Sequence, residues 1–281
     1  MQCSICGENV CERSDWRLAE CPSCRHCTAW AVVDLPVTEY FDQSEYVSWR
    51  KKSRPRFLRE ASARIDEFER RVGRLEGLSV LEIGSSTGEA LEVAHARGAN
   101  VVGVEEAEQA SALADARTFT SLDEVEGQFD VVMMFHVLEH IHQPKDFLES
   151  LGRRLKRDGH LYIRVPHKRS ASGRVFGLYW PGLSPEHIHF FSTKSIASAC
   201  DDMAPVYIGT SPDARYAIGG ARRLLRGRLR PTVNLAAAGY GMPSGRSQRI
   251  VEAARLAYTP IGMMEGVFNL GDELVAIFKK R

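Results

Sequence analysis

Residues 78–91 read LSVLEIGSSTGEAL, and no other stretch of the chain narrows its fold as much. An apolar run of β type passes directly into a turn bracketed by Gly84 and Gly88, and that turn opens a helix. Such a turn aims main-chain N–H groups and the positive end of the helix at whatever lies above it, as in nucleotide-binding α/β folds. The next apolar run, NVVGVE, ends in Glu105, where a carboxylate can accept both hydroxyls of a ribose. The turn and the acid carry the signal together, because G-x-x-x-G alone is weak.

The same alternation continues downstream. A helix is expected over 89–97 and another near 107–114; FDVVMMF reads as a strand, 144–155 as a helix, HLYIRVP as a strand, and APVYIGT and ELVAIFKK as a late strand pair. Strands alternating with helices imply a parallel sheet covered on both faces. The expected class is therefore α/β, a Rossmann-like doubly wound sheet whose last strand is antiparallel and lies at the edge. Upstream, Phe57, Leu58, Ala61, Ile65, Phe68, Val72 and Leu75 recur at three- and four-residue spacing among charges, an amphipathic helix.

Six of the seven cysteines fall within the first 27 residues. A reducing compartment makes such a cluster a metal site rather than a disulfide scaffold. C-S-I-C at 3–6 and C-P-S-C at 21–24 are two knuckles whose four thiolates, Cys3, Cys6, Cys21 and Cys24, can close a tetrahedron around a structural Zn²⁺. Cys27 forms a competing C-x-x-C with Cys24; the shorter hairpin is preferred because it leaves TAWAVVDLP as the exit strand. Cys11 and Cys200 read as free thiols. The expected layout is a zinc ribbon over 1–36, a helical linker over 37–75, a core over 76–212 and 266–281, and a basic helical insertion or cap over 213–265.

Glu82, Gly84 and Gly88 resemble the first motif of class I S-adenosylmethionine-dependent methyltransferases, E/D-x-G-x-G-x-G, with Ser86 in place of the middle glycine. The resemblance extends to FDVVMMFHVLEHIHQPKDFLESLGRRLKRDGHLYIRVPH. It implies a seven-stranded methyltransferase sheet with S-adenosylmethionine on the turn formed by Gly84, Ser85, Ser86 and Gly88. It also implies Glu105 and the adjoining Glu106 at the ribose, and Phe135 and His136 along the methionine moiety. Ribbon, helix and core together are similar to bacterial methyltransferases of sugar, polysaccharide and secondary-metabolite pathways.

Methyl transfer needs an acceptor placed in line with the methyl group, and a hydroxyl acceptor is helped by a base near neutrality. Histidine suits that role, and two clusters lie on the expected cofactor side: His136, His140 and His142, and His187 and His189. His189, His187 and His140 are the candidate bases, with a structural role for His140 as the alternative. The leading acceptor is a sugar or glycan hydroxyl. The rivals are a quinone- or lipid-type acceptor at a membrane surface, and a catalytically inactive fold used as a zinc-ribbon binding module.

Charge says little globally, at a formal net +1, but residues 214–251 hold eight arginines and no acid. That local excess suggests an anionic or carrier-linked acceptor, or peripheral membrane contact through Leu224, Leu225 and Leu229. The ribbon's own charges nearly balance, which argues against nucleic acid. No apolar run approaches the ~20 residues of a membrane span, and a cytoplasmic protein is expected. The sequence leaves the oligomeric state open.

Overall fold

The computed structural model describes residues 2–13, 18–29, 44–114, 116–184, 186–225 and 268–281. Residues 226–265 of the expected basic insertion lie outside them.

Among the described residues, eleven strands form two sheets. In the larger sheet β4 (Ser79–Ile83), β5 (Asn100–Val104), β6 (Thr118–Phe119), β7 (Phe129–Phe135) and β8 (Leu155–Pro166) are mutually parallel, β4 lying between β5 and β7. β10 (Met203–Ser211) and β11 (Glu273–Lys280) complete the order β10-β11-β8-β7-β4-β5-β6. The last strand is antiparallel, as expected, but it is not an edge strand. β11 is inserted between β8 and β10, pairing antiparallel with both. Its burial explains the correction: Glu273 to Phe278 are all buried, whereas an edge strand would show a polar face.

β7 shows why the sequence makes this sheet. Successive residues point to opposite faces. Val132 and Met134 join one core with Leu81, Ile163 and Leu274, and Val131, Met133 and Phe135 join another with Val80, Tyr162 and Val275. The first face is covered by α4 (Pro144–Arg154) and α6 (Thr193–Ala199), through Leu148, Leu151, Ile196 and Ala199. The second is covered by α1 (Ser44–Arg71) and α2 (Glu89–Ala96), through Ala61, Ile65, Phe68, Ala90 and Ala94. The segment read as a linker is thus a 28-residue helix bound into the core. It begins upstream of the expected amphipathic stretch and continues through Pro55, which removes one main-chain donor. Three short helices, α3 (Glu108–Ser111), α5 (Ala171–Phe176) and α7 (Ala214–Leu225), complete the described helices.

The N-terminal sheet, in the order β1-β2-β3-β9, joins β1 (Cys11–Arg13), β2 (Leu18–Glu20) and β3 (Cys27–Ala29) to β9 (His189–Phe190) of the core. The cysteine-rich module is therefore continuous with the catalytic-type domain. Cys3, Ile5, Cys21 and Cys24 share the larger domain's apolar cluster.

Candidate cofactor site, histidine cluster and cysteine centre

β4 delivers the chain into the glycine turn, and β5 pins it there: Gly84 and Ser85 donate their main-chain N–H groups to the carbonyl of Val104 at 2.8 and 3.0 Å. Alternate residues of the turn are left-handed, with φ of 70° at Gly84, 48° at Ser86 and 80° at Gly88. A Cβ on Gly84 would stand 2.4 Å from a methyl of Val137, and one on Gly88 would stand 2.8 Å from Ala114. Ser86 adopts at a steric cost the backbone that a glycine would take freely. Two arginines of α1 hold the turn from above. Arg50 donates to Thr87 Oγ1 at 3.0 Å and pairs with Glu89, while Arg54 pairs with Glu92.

Two acids face this turn. Glu105 accepts from the main-chain N–H groups of Ser86 and Ala107 at 2.7 and 2.9 Å, and burial raises its pKa against the pull of those donors. Glu82 is buried, and burial, with Glu89 and Glu105 nearby, raises its pKa to about 8 despite Arg64 and Arg50. Among the described residues, Glu82 Oε2 and Ser85 Oγ lack partners. Glu106 is exposed beside them. A turn that admits no Cβ, an acid held across it and orphaned polar atoms beneath it fit the polar end of a nucleoside cofactor.

Past β7 the structure separates the two residues expected along the methionine moiety. Phe135 is a packing residue, edge to face with Tyr162 at 5.1 Å and capped by Arg64 at 5.0 Å. His136 is left-handed, with φ of 59°, and its Nε2 meets Glu273 Oε1 at 2.8 Å. Burial alone would lower its pKa, but Glu273 and Glu139 raise it to about 9. Behind it Glu273 also accepts from Arg164 at 2.6 and 3.0 Å, and Arg164 reaches Glu67 of α1 at 2.9 Å.

The three candidate bases divide. His140 and His187 meet edge to face, their ring centroids 4.8 Å apart, and the fully buried Glu139 lies beside them, one ligand atom of each of the three within 4.8 Å of the others. Val137, which touches the cofactor turn, begins this loop. His189 stands apart from this pair. It is 2% exposed, its Nδ1 shares a 2.9 Å hydrogen bond with His26 Nε2, and the two rings stack. Burial lowers its pKa to about 4, so it is a neutral ring that joins ribbon to core.

In the ribbon, Sγ–Sγ separations are 3.6 Å for Cys3–Cys24 and 3.5 Å for Cys6–Cys21. A ZnS₄ tetrahedron with ~2.3 Å bonds needs about 3.8 Å, so the four thiols fit a single zinc. Each knuckle closes the same way, Gly7 N–H donating to Cys3 O and Arg25 N–H to Cys21 O, both at 3.0 Å. Cys27 packs instead with Leu18, Trp180 and Phe190. Cys200 is a buried thiol, while the side chain of Cys11 lies outside the described residues.

Sequence reading missed Arg50, Arg54 and Glu273. The arginines are four apart on one helix, and Glu89 and Glu92 follow the turn, but nothing local shows that they pair.

These features define an α/β domain with the strand order and glycine turn of the class I methyltransferase fold. A family model described as "Methyltransferase domain" matches residues 48–203, more than half of the chain, and the protein belongs to that family. It is similar to the ubiquinone biosynthesis O-methyltransferase of Pseudomonas aeruginosa (strain UCBPP-PA14), 31% identical over 146 residues, which are 47% of this chain and 62% of that protein. The protein of that name from Acinetobacter baumannii (strain AYE) is 25% identical over 50% of this chain and 66% of its own. The chain thus spans under two thirds of these relatives. Its fold is shared with the magnesium protoporphyrin IX methyltransferase of Synechocystis PCC 6803 with bound SAH (TM-score 0.53, 14% identity, 87% of this chain and 98% of that one).

Proposed function

We propose that the chain transfers a methyl group from S-adenosylmethionine to an oxygen of a small-molecule acceptor, and that its cysteine centre holds a structural zinc. The observation that carries the first part is Glu105, an acid held across a turn that admits no side chain at Gly84 or Gly88. S-adenosylmethionine supplies a methyl group on a positively charged sulfur. Gly84 to Gly88 would seat its polar end, Glu105 would accept from the ribose hydroxyls, and Glu82 would face the turn from below. The acceptor's hydroxyl would lie at the loop of Glu139 and His140 and at His187, since His189 is sealed in the ribbon junction.

The relatives are named as O-methyltransferases of ubiquinone biosynthesis, which favours a quinone-type acceptor over the sugar hydroxyl expected from sequence. Val175, Leu224 and Leu225, exposed on α5 and α7, offer an apolar surface consistent with a lipid-tailed molecule. Incubation with methyl-labelled S-adenosylmethionine and two acceptor panels, polyprenylated phenols and nucleotide sugars, tests this reading. Label in the phenols is expected. Label in the sugars alone would overturn the acceptor class, and failure to bind S-adenosylmethionine would overturn the activity.

A further inference from the structure

We propose that Glu139, His140 and His187 form a second metal site, separate from the four cysteines, that takes one divalent transition-metal cation through two imidazole nitrogens and one carboxylate. Glu139 is a carboxylate enclosed by imidazoles, with His136, His140 and His187 around it. It is wholly buried, and among the described residues it meets His136 as an ion pair rather than through a short hydrogen bond. The nearest basic atoms are His136 Nδ1 at 3.4 Å and His187 Nε2 at 4.0 Å from Oε1. A buried charge is retained when it is paired or when it coordinates a metal.

The two imidazoles beside it are held as metal ligands are held. His140 Nδ1 donates to the carbonyl of Glu186 at 2.9 Å, and His187 Nδ1 donates to the carbonyl of Gly182 at 2.9 Å. A ring whose Nδ1–H is committed to a backbone carbonyl carries its lone pair on Nε2, and that bond fixes its orientation toward a cation. One ligand atom from each of the three residues lies within 4.8 Å of the others. Ligand atoms bound at about 2.0–2.2 Å stand about 3.0–3.5 Å apart, so the cluster closes by about an ångström on loading. The segments that must move are already joined, because Ile188 N–H donates to Glu139 O at 2.9 Å.

Two nitrogens and one carboxylate suit Zn²⁺, Mn²⁺, Co²⁺ or Fe²⁺. Three protein ligands leave positions open, unlike the closed set of four sulfurs in the ribbon. Glu139 and His187 are buried and His140 is half-exposed, so His140 is the member of the cluster that solvent reaches. Its chemical role rests on the methyl-transfer reading above. A cation held there would supply ionisation of an acceptor hydroxyl, whose proton would pass to water. The oxygen lone pair then forms the new C–O bond while the sulfur–methyl bond breaks, and sulfur keeps that electron pair as a neutral thioether.

The test uses the full chain with its cysteine-bound zinc in place, titrated with Co²⁺ and followed by calorimetry and visible absorption. Wild type should take up one equivalent of Co²⁺ without the intense sulfur-to-metal absorption of a thiolate site. Glu139→Gln and His187→Gln should each weaken that uptake about a hundredfold, with cysteine zinc and S-adenosylmethionine binding unchanged. Should His187→Gln fail to fold, Glu139→Gln, which keeps the shape of the side chain, decides. Uptake of Co²⁺ only with thiolate absorption, or wild-type affinity in Glu139→Gln, would overturn the site. Uptake by a wild type that binds no S-adenosylmethionine would support the site and overturn the methyl-transfer reading.

Discussion

Glu105 Oε2 accepts a 2.7 Å hydrogen bond from the main-chain N–H of Ser86, so the acid that follows β5 and the turn that follows β4 are tied together before any ligand arrives. A ribose placed there meets an acceptor whose position is already fixed. The carboxylate then gains hydroxyl donors without having to order itself, which is where preorganised sites obtain affinity.

Replacing Glu105 with alanine should therefore weaken S-adenosylmethionine binding by about tenfold or more, equivalent to about 1.4 kcal/mol for each factor of ten. Titration calorimetry reads this directly. An unchanged dissociation constant would remove Glu105 from the site.

For the ribbon, Cys21→Ser should abolish zinc binding and Cys27→Ser should retain it, as measured by metal content after gel filtration. The thermal consequence should extend beyond the ribbon, because its cysteines share the apolar cluster of the main sheet. Cys21→Ser is expected to lower Tm by about 10 °C. Retention of zinc by Cys21→Ser with loss in Cys27→Ser would reverse the assignment.

The sheet was legible because its central strands are apolar on both faces, and FDVVMMF is unmistakable on that ground. The cysteine pairs were legible because ligand spacing is local. What escaped were contacts between distant segments. Whether His189 faces a substrate or stacks on His26, 163 residues away, depends on a sheet pairing that no local pattern encodes. Glu273 likewise becomes the partner of His136 and Arg164 only because β11 inserts beside β8. The position of β11 was misjudged for a related reason: the order of a late strand pair in the sheet is set by pairing with the distant β8, not by the strand's own pattern.

Glu82 gives a pH-dependent prediction. Its folded pKa is raised to about 8, so between the ordinary carboxylate range and pH 8 the unfolded chain has lost a proton that the folded chain retains. Stability from this group is therefore fully present below about pH 4.5 and declines as pH rises toward 8. Glu82→Gln removes the decline. It should raise Tm by about 4 °C at pH 8 and leave it unchanged at pH 4, in calorimetric scans without ligand. An equal shift at both pH values would show that ionisation of Glu82 is not the cause.

Two adjacent arginines of α7 should behave differently, although the sequence presents them as one basic patch. Arg223 is buried, and its Nη1 donates at 3.1 Å to the carbonyl of Trp180. Trp180 is itself sealed: its Nε1 donates to Ser172 Oγ at 3.1 Å, and its ring stacks on Tyr216 of the same helix at 5.4 Å. Removing Arg223 leaves that carbonyl without a charged donor and opens space beside the indole, so Arg223→Ala should cost about 1–3 kcal/mol of stability. Arg222 is half-buried and is the one of the pair with charge to offer an acceptor. Arg222→Ala should leave stability within about 0.5 kcal/mol and, if the helix borders the acceptor entrance, raise the acceptor KM with kcat unchanged, the pattern of lost uniform binding. Urea unfolding and steady-state kinetics on both variants separate the roles. A stability loss from Arg222→Ala equal to that from Arg223→Ala would make both arginines part of the packing around Trp180 and leave α7 no part in recognising the acceptor.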